Sequence, residues 1–386
     1  MTENEKNALL PAGLRDVLPG DAAFEATIVE RIVTLFGRHG YDRVKAPLIE
    51  FEDGLLSGAG IALAPQTFRL MDPVSQRMMG VRADITPQIA RIARTRLSRA
   101  PRPLRLSYAG EVLRVRGSQL RPERQILQVG AELIGSASPS ADTEIIELAA
   151  DAIGSLGIDD FSVDLTVPRL VPSILEQHGL SDDIVGTVRE ALDRKDPEAV
   201  ESVAGAATET LVALLEATGP VDSAVERLKA LSLPETGEAE RKRLEEVVAR
   251  LQASSSDLRL TLDPVENRGF EYHTGIGFTI FARGISGELA RGGRYRVQGN
   301  TEGDSGERAT GVTLYVDTIL GMLPETEANK RILVPSTTLR DVKSDLQKQG
   351  WVTVSALNDD IDLASEAQQL ACSHFLGESG PEPVKG

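Results

Sequence analysis

The sequence predicts an α+β fold in which a largely antiparallel sheet is flanked by helices. Its strand-like segments come in neighbouring pairs along the chain instead of alternating with helices, which is typical of antiparallel sheets. From about residue 168 to 256 these strand patterns stop, and short helical segments with polar breaks follow one another. We therefore expect a core formed by residues 1–167 and 257–323, a helical insertion at 168–256, and a short C-terminal α/β unit at 324–386.

The individual elements follow from periodicity and from the residues that begin and end helices. Residues 21–39 repeat apolar side chains at helical spacing, and Gly40 ends that helix. A second helix starts near Asp84 or Thr86, either of which is a good cap, with Pro87 in its first turn. The remaining expectations in the core are strands at 41–51, 66–82, 102–116, 123–136, 161–167, 257–264 and 275–282, helices at 84–100, 141–157 and 309–323, and a Gly-rich turn segment at 290–300. In the C-terminal unit we expect strands at 331–335 and 351–357 and helices at 338–350 and 362–376.

Composition and charge limit the classes of protein to which this chain can belong. The formal net charge is −16 and the isoelectric point is near 4.9, which argues against broad electrostatic binding of nucleic acid. No apolar run is long enough for a membrane span, and the N-terminus lacks the pattern of a secretory signal. A single cysteine, Cys372, excludes an intramolecular disulfide and fits a reducing compartment. We expect a soluble, cytoplasmic, multi-domain protein.

The sequence lacks the patterns of two common kinds of site, a zinc site and a nucleotide-binding loop. The four histidines, His39, His178, His273 and His374, are scattered, so they predict no zinc site. Neither a G-x-x-x-x-G-K-[ST] motif nor a G-x-G-x-x-G motif opening a βαβ unit occurs. The residues thus predict neither a metal nor a cofactor.

A basic loop stands out in this acidic chain. Arg114, Arg116, Arg121 and Arg124 fall within eleven positions, on a predicted hairpin between two strands. Guanidinium groups suit the geometry of phosphate or carboxylate, so Arg114, Arg116 and Arg124 are a candidate anion site. The alternative is a solvated hairpin tip, which is what most charge runs are.

The stretch "RGFEYHTG", from Arg268 to Gly275, combines a guanidinium, a carboxylate, a phenol and an imidazole. Strand alternation would point Arg268 and Tyr272 to one side and His273 to the other, unless a bulge at Gly269 redirects them. A ligand pocket and ordinary packing at a strand edge both remain open for this segment.

Asp84, Gln128 and Glu132 are the third candidate set. A small zwitterion needs acceptors for its ammonium group and a donor for its carboxylate, and these carboxylates together with an arginine would supply both. The alternative for Asp84 is a simple helix cap. The glycines of "GGRY" at 292–295 allow close approach of backbone to a ligand, or form only a turn.

Together these segments resemble the histidyl-tRNA synthetases over nearly the whole chain. The N-terminal segment up to Phe51 is similar to that family's N-terminus, with Pro47 in the first class II motif at the dimer interface. "VRADITPQIAR" resembles the family's "LRPE-x-T" segment, with Asp84 in place of the glutamate. The arginine loop resembles the second class II motif, and "RGFEYHTG" resembles "RGLDYYTG", with His273 for the second tyrosine. The resemblance implies a class II aminoacyl-tRNA synthetase-like fold in a homodimer.

The departures from the family pattern fall on its ATP site. Arg114 stands at the position of the arginine that contacts the α-phosphate, but Arg116 replaces the glutamate at the adenine. The third motif, "GFAIGLERLL" in the family, reads "GVTLYVDTIL" here, so that Thr318 replaces an ATP-contacting arginine. Losing one charge-assisted bidentate contact costs about ten- to a hundredfold in binding. The C-terminal unit is similar only to the first part of the family's anticodon-binding domain. We expect adenylation chemistry to be lost.

This combination resembles the synthetase paralogue that acts as regulatory subunit of ATP phosphoribosyltransferase, the enzyme that begins histidine biosynthesis. The resemblance implies a non-catalytic protein that forms a hetero-oligomer with a short-form catalytic subunit, responds to histidine as feedback ligand, and binds no tRNA. Two alternatives are an active histidyl-tRNA synthetase or related amino-acid ligase, and a histidine-binding or RNA-associated scaffold. Histidine would occupy either the inherited pocket or an interface with the catalytic subunit. The inherited pocket comprises Asp84, Thr86, Gln128, Glu132, Arg268, Tyr272 and His273.

Overall fold

The computed structural model of the chain describes residues 9–117, 122–266, 273–297, 306–324, 330–359 and 361–384. The chain divides into two compact units, one reaching Leu323 and the other beginning at Pro324.

The strands of the first unit are β1 (Asp42–Arg43), β2 (Ile49–Phe51), β3 (Phe68–Met71), β4 (Met78–Val81), β5 (Leu104–Leu113), β6 (Gln125–Ile134), β7 (Phe161–Thr166), β8 (Gly219–Pro220), β9 (Leu260–Asp263), β10 (Gly277–Ala282), β11 (Ala290–Val297) and β12 (Glu307–Tyr315). Its helices are α1 (Asp21–Arg38), α2 (Glu52–Leu55), α3 (Thr86–Thr95), α4 (Pro139–Gly154), α5 (Leu170–Gln177), α6 (Asp182–Asp193), α7 (Pro197–Val203), α8 (Thr208–Glu216), α9 (Val221–Lys229), α10 (Glu235–Ser254) and α11 (Val316–Leu320), with 3₁₀ turns at Gly58–Gln66 and Gly205–Ala207.

A large sheet organises the first unit. Its strands lie in the order β1-β5-β6-β12-β11-β10-β7-β9-β8, and a separate small sheet has the order β2-β4-β3. The long neighbours β5, β6, β12, β11, β10 and β7 are all antiparallel, whereas β1 and β9 join the sheet in parallel. The predicted α+β fold with a largely antiparallel sheet and flanking helices is therefore confirmed.

Helices α1 and α4 cover one face of this sheet. Helix α1 buries Ile28, Ile32, Val33 and Phe36, and the chain turns after it at Gly40 with a positive φ of 83°. Ser138 is the N-cap of helix α4, and its hydroxyl accepts a hydrogen bond from the Ser140 N–H. The buried residues of both helices join one hydrophobic core with the sheet.

Helices α5–α10 lie between β7 and β9, in the stretch that the sequence marks as helical. They share the core of the large sheet through buried leucines and valines such as Leu211 and Leu244. Lys195, in the turn after α6, donates to both carboxylate oxygens of Asp263 at 2.6–2.7 Å. The helices are thereby attached to the end of β9. In the described part of the chain, no helix is long and apolar enough to cross a membrane.

Three local expectations were wrong. The segment expected as a helix at 309–323 is strand β12 up to Tyr315, followed only by the short helix α11. The Gly-rich segment expected as a turn is strand β11 from Ala290 to Val297. Both strands are buried on both faces between other strands, so that their residues do not alternate between apolar and polar. A continuous apolar run of this length does not distinguish strand from helix.

The second unit contains a four-stranded sheet of order β14-β13-β15-β16. The third wrong expectation lies here: the helix expected at 362–376 ends at Gln369, and the residues after it form a strand. The elements are β13 (Arg331–Val334), α12 (Arg340–Lys348), β14 (Val352–Ser355), α13 (Leu363–Gln369), β15 (His374–Gly377) and β16 (Gly380–Pro383). Strand β15 pairs in parallel with β13, which a helix at this place would not allow.

Candidate ligand site

Polar side chains are buried on the face of the large sheet that α1 and α4 leave uncovered. Gln128 and Glu132 are an even number of residues apart on β6, so strand alternation places them on the same face. Their exposed fractions are 0% and 1%. The start of helix α3 lies beside them and contributes Asp84 and Thr86. The structure thus brings together four of the residues predicted to bind histidine.

Asp84 and Gln128 hold each other in place. The Gln128 side-chain Nε2 donates to Asp84 Oδ2 at 2.8 Å, and its Oε1 accepts from the Ile85 N–H at 3.2 Å. Asp84 Oδ1 accepts from the Thr86 N–H at 2.9 Å, but the N-cap of α3 is Ile85, so neither Asp84 nor Thr86 is the helix cap that the sequence predicts. Asp84 is half-buried, unlike Gln128. Its carboxylate is therefore the acceptor of this group that solvent reaches.

Glu132 lies deeper, among hydroxyl groups. The Tyr295 hydroxyl donates to Glu132 Oε2 at 2.9 Å, and the Tyr108 hydroxyl donates to Oε1 at 3.5 Å. The Tyr108 hydroxyl also lies 2.8 Å from the hydroxyl of Thr313 and 3.3 Å from that of Thr86. Hydroxyl groups from β5, β11, β12 and α3 consequently surround a carboxyl group on β6.

This surrounding changes the acidity of the buried groups. Burial raises the pKa of Glu132 to about 8, against the lowering effect of its hydrogen bonds from Tyr295 and Thr86. Burial, followed by the neighbouring Glu132, raises the pKa of Tyr108 well above its usual value. Near neutral pH the Glu132 carboxyl group is largely protonated, and a bound cation or imidazole would favour its ionised form.

Two glycines provide the space for this cluster. A Cβ atom on Gly311 would lie 1.7 Å from Glu132 Oε2, and one on Gly130 would lie 2.3 Å from the Tyr108 hydroxyl oxygen. Gly311 is the residue paired with Glu132 across β6 and β12. The cluster therefore requires glycine at both positions.

The segment "RGFEYHTG" is described only from His273 onward. Arg268 and Tyr272 lie outside the described residues. His273 is 6% exposed and packs against β11, where a Cβ on Gly293 would come within 2.6 Å of its ring. Gly293 itself has a φ of 152°. Both glycines of "GGRY" thus lie in a strand, and Gly293 leaves room for the His273 ring.

The three described arginines of the loop lie in different surroundings. Arg124 is held by the N-terminal segment, because its backbone N–H donates to Gly13 O at 2.8 Å and its guanidinium to Ala12 O at 3.2 Å. Arg114 is half-buried and donates from Nε to Ala83 O at 3.4 Å, one residue before Asp84. Arg116 is exposed. The structure places Arg114 next to the candidate site and gives Arg124 a structural contact.

The segment that resembles the third motif makes structural contacts. Asp317 Oδ2 accepts from the Leu127 N–H at 3.0 Å, and Oδ1 lies 3.4 Å from the guanidinium of Arg15. Thr318 follows it on the short helix α11. The described residues contain no cluster of three or more His, Cys, Asp or Glu side chains that would bind a metal ion.

Sequence reasoning missed Tyr108, Tyr295 and Thr313 as members of the cluster. Tyr295 was visible as the last residue of "GGRY", and its position in a strand would have placed it on the same face as Gly293. Tyr108 and Thr313 carried no local signal, because Tyr108 contacts Glu132 on the next strand, β6, and Thr313 on β12, 205 residues further along the chain.

Comparison with known proteins shows which family this chain is similar to. The family model for histidyl-tRNA synthetase matches residues 13–319. A relative from Rhodospirillum centenum, named ATP phosphoribosyltransferase regulatory subunit, is 55% identical over 95% of this chain and 94% of its own length. One from Paramagnetospirillum magneticum with the same name is 53% identical over 98% and 99%.

Solved structures show the same fold. A protein from Bacillus halodurans C described as an ATP phosphoribosyltransferase regulatory subunit/histidyl-tRNA synthetase has a TM-score of 0.80 at 23% identity, covering 94% of this chain and 96% of that one. The histidyl-tRNA synthetase from Nostoc sp. PCC 7120 has a TM-score of 0.76 at 18% identity, covering 96% and 91%. The chain has the class II synthetase fold and belongs to the histidyl-tRNA synthetase-like family, among the ATP phosphoribosyltransferase regulatory subunits.

Proposed function

We propose that this protein is the regulatory subunit required for ATP phosphoribosyltransferase activity in the first step of histidine biosynthesis. It forms a hetero-oligomer with a short-form catalytic subunit and mediates feedback by histidine. The observation that carries the proposal is full-length similarity: relatives with this name are 53–55% identical over at least 95% of the chain. In this reading the protein acts in the cytoplasm and binds no tRNA, consistent with its net charge of −16.

The absence of adenylation chemistry in this protein is the second part of the proposal. Thr318 offers a hydroxyl where the synthetase motif has an arginine, and Arg116 offers a positive charge where the motif has a carboxylate. The neighbouring acidic position, Asp317, already binds Leu127 N–H and Arg15. These contacts support a motif that now stabilises the fold.

The inherited pocket is the proposed histidine site. Asp84 is the acceptor that an ammonium group would reach first, with Gln128 behind it. Glu132, with its raised pKa, would ionise as it meets a cationic or hydrogen-bonding imidazole. Histidine regulates the complex if it binds two conformations of that complex with different affinity.

A homodimer through the first-motif region is also proposed. The small sheet and the segment before it expose apolar side chains: Leu48 is 50% exposed, Met71 63% and Met78 42%. A cavity of about 720 Å³ lies against this region and is lined in part by Pro47 and Phe51. An exposed apolar face of this kind fits burial against a second copy of the chain.

The decisive experiment measures two activities of purified protein. We expect no histidine-dependent exchange of pyrophosphate into ATP by the chain alone, and activation of a short-form catalytic subunit when the two are mixed. Thr318→Arg and Arg116→Glu serve as a gain-of-function control for the exchange assay. Efficient exchange by the unmodified chain, or no effect on the catalytic subunit, would contradict the proposal.

Calorimetric titration of histidine into the chain alone tests the pocket. We expect binding that Asp84→Asn weakens, because it removes the negative charge, and that Glu132→Ala abolishes, because it removes the whole carboxyl group. Asp84→Asn retains the shape of a half-buried side chain, so it separates loss of binding from loss of folding. Binding that appears only after the catalytic subunit is added, and is unchanged by Asp84→Asn, would place the histidine site at the interface instead.

A further inference from the structure

A buried arginine without a carboxylate partner lies beside the proposed histidine pocket. Arg82, in the segment between β4 and α3, is 8% exposed. It forms no ion pair with any carboxylate of the residues that the structure describes, although Asp84, Glu50 and Glu111 lie within electrostatic reach. Burial of a charge without a counter-ion is unfavourable. The position of this guanidinium therefore requires a reason beyond ordinary packing.

Neutral groups hold the guanidinium in place. Arg82 Nε donates to Glu111 O at 2.7 Å, and Nη1 donates to Ala46 O at 3.1 Å. Nη1 also lies 3.5 Å from Gln88 Oε1. These contacts use two of the three guanidinium nitrogens. The third nitrogen, Nη2, donates to no acceptor in the described part of the chain, so its two N–H groups remain available.

Arg82 Nη2 lies on the ligand-facing side of the sheet. A Cβ atom on Gly110 would come within 2.4 Å of Arg82 Nη2 and within 3.7 Å of Ile85 Cδ1. Gly110 is paired with Gln128 across β5 and β6, so its Cβ position points to the same face as the Gln128 side chain. The two Cβ positions of such a pair are about 4.5–5.5 Å apart. Arg82 Nη2 and the Gln128 side chain are therefore neighbours on this face.

Asp84 brings the opposite charge to the same place. Gln128 Nε2 donates to Asp84 Oδ2 at 2.8 Å, and Gln128 Oε1 accepts from the Ile85 N–H at 3.2 Å. A carboxylate and a guanidinium nitrogen thus both lie next to Gln128. Each oxygen of the Asp84 carboxylate can accept a second donor besides the one it already has. An α-amino acid carries its ammonium and carboxylate groups on one carbon atom, so its two binding partners must be neighbours of this kind.

We propose that Arg82 binds the carboxylate of the amino acid whose ammonium group meets Asp84. The inference rests on the proposed histidine pocket and adds a residue to it. The hydrogen bonds from Nε and Nη1 fix the guanidinium before the ligand arrives, which reduces the ordering cost of binding. The ligand carboxylate supplies the negative charge that Arg82 lacks. Arg82 and Asp84 together then select a zwitterion over a molecule that carries only one of the two charges.

The alternative is a purely structural role for Arg82. Gln88, which lies beside Arg82 Nη1, donates to Pro47 O at 2.7 Å. Together with the bond from Arg82 to Ala46 O, this contact ties the segment at 46–47 to the start of α3. Such an anchor needs the bonds from Nε and Nη1 but none from Nη2. The two roles differ in one property, because only a ligand contact depends on the carboxylate of the bound molecule.

The test compares histidine with histamine and histidinamide, which keep the imidazole and ammonium groups but lack the carboxylate. All three are titrated into the full chain by calorimetry. We expect Arg82→Gln to weaken histidine binding about tenfold, because a charge-assisted contact is lost, and to leave binding of the two analogues nearly unchanged. Asp84→Asn should weaken all three ligands, since each carries the ammonium group. Arg82→Lys, which keeps the charge but not the planar fork, should lose less affinity for histidine than Arg82→Gln does.

Gln88→Met is the matched control for damage to the same hydrogen-bond network. Gln88 is 1% exposed and donates to Pro47 O and to Glu50 Oε1. We expect a lower Tm for both Gln88→Met and Arg82→Gln, because each leaves a backbone carbonyl without its donor. Only Arg82→Gln should change the ratio of histidine affinity to analogue affinity. If Arg82→Gln does not fold, the same ratio is measured with Arg82→Lys. An equal change in the Gln88 variant, or a loss shared by all three ligands, would overturn the proposal.

This outcome is separate from that of the proposed function. Activation of a short-form catalytic subunit is measured on the same samples, and it tests the regulatory role independently of Arg82. If histidine binds and the Arg82 variants weaken no ligand, the pocket stands and Arg82 is only an anchor. If the unmodified chain does not bind histidine, alone or with the catalytic subunit, this assignment fails together with the proposed pocket, while activation still decides the regulatory role.

Discussion

Two buried carboxyl groups on opposite faces of one sheet are stabilised in different ways. Asp142, 3% exposed, faces the guanidinium of Arg294, which is 1% exposed. Glu132, 1% exposed, faces the hydroxyl groups of Tyr295, Tyr108 and Thr86. Burial raises the pKa of both carboxyl groups; the charge of Arg294 opposes this at Asp142, whereas hydrogen bonds alone oppose it at Glu132.

The difference distinguishes a carboxylate that stabilises the fold from a carboxyl group whose ionisation can change when a ligand binds. A carboxylate with a fixed guanidinium partner has little to gain from a ligand, because its charge is already compensated. A carboxyl group held only by hydroxyl groups remains able to change its ionisation when a cation arrives. The sheet therefore carries an ion pair for stability on one face and a titratable group suited to a ligand on the other.

The largest expected effect comes from breaking the ion pair. Asp142→Asn leaves the Arg294 charge buried without a counter-ion, so we expect the free energy of unfolding to fall by about 3–5 kcal/mol in urea unfolding. Glu246→Gln is the control, since the Arg250–Glu246 pair is about half exposed on each side and should contribute less than about 1 kcal/mol. Equal losses in the two variants would mean that burial does not decide the strength of these pairs.

A smaller effect is expected from crowding Glu132. Gly311→Ala places a Cβ atom 1.7 Å from Glu132 Oε2, and the resulting displacement should cost about 1–3 kcal/mol of unfolding free energy. Gly186→Ala, in the exposed interior of α6 with no atom near its Cβ position, should instead stabilise by about 0.5–1 kcal/mol. Histidine titration of the Gly311 variant then shows whether the same space serves the ligand. A stable Gly311→Ala protein would show that the cluster rearranges freely.

The smallest of the three expected effects is on the pH dependence of stability. Because the pKa of Glu132 is about 8 in the folded state and near 4.5 when unfolded, the folded protein binds the extra proton between these values. Its stabilising contribution is full below about pH 4.5 and is lost as pH rises through 8, with a slope of at most about 1.4 kcal/mol per pH unit. Glu132→Gln should remove this slope. Chemical unfolding at pH 5.5 and 7.5 measures it, and an unchanged slope in the variant would contradict the assignment.

Strand periodicity correctly placed part of the site. Gln128 and Glu132 share a face because they lie on one predicted strand. The helix start was predicted to within two residues, since α3 begins at Thr86 with Ile85 as its N-cap. Periodicity was misleading at 309–315, where burial on both faces removes the alternation that marks a strand. The arginine loop is a second case in which the sequence pattern was insufficient, because the spacing of the arginines did not predict that Arg124 binds the N-terminal segment.

Sequence by itself determined the fold class, the family resemblance and the replacement of Arg by Thr318, because these depend on residue types and their order along the chain. Only the tertiary structure decided which buried groups meet. The hydroxyl groups around Glu132 come from β5, β11 and α3, and the register of β11 and β12 sets Arg296 opposite Arg308. Pairing between distant strands and burial decide which groups meet at these two places. Neither the pairing nor the burial leaves a pattern in the local sequence.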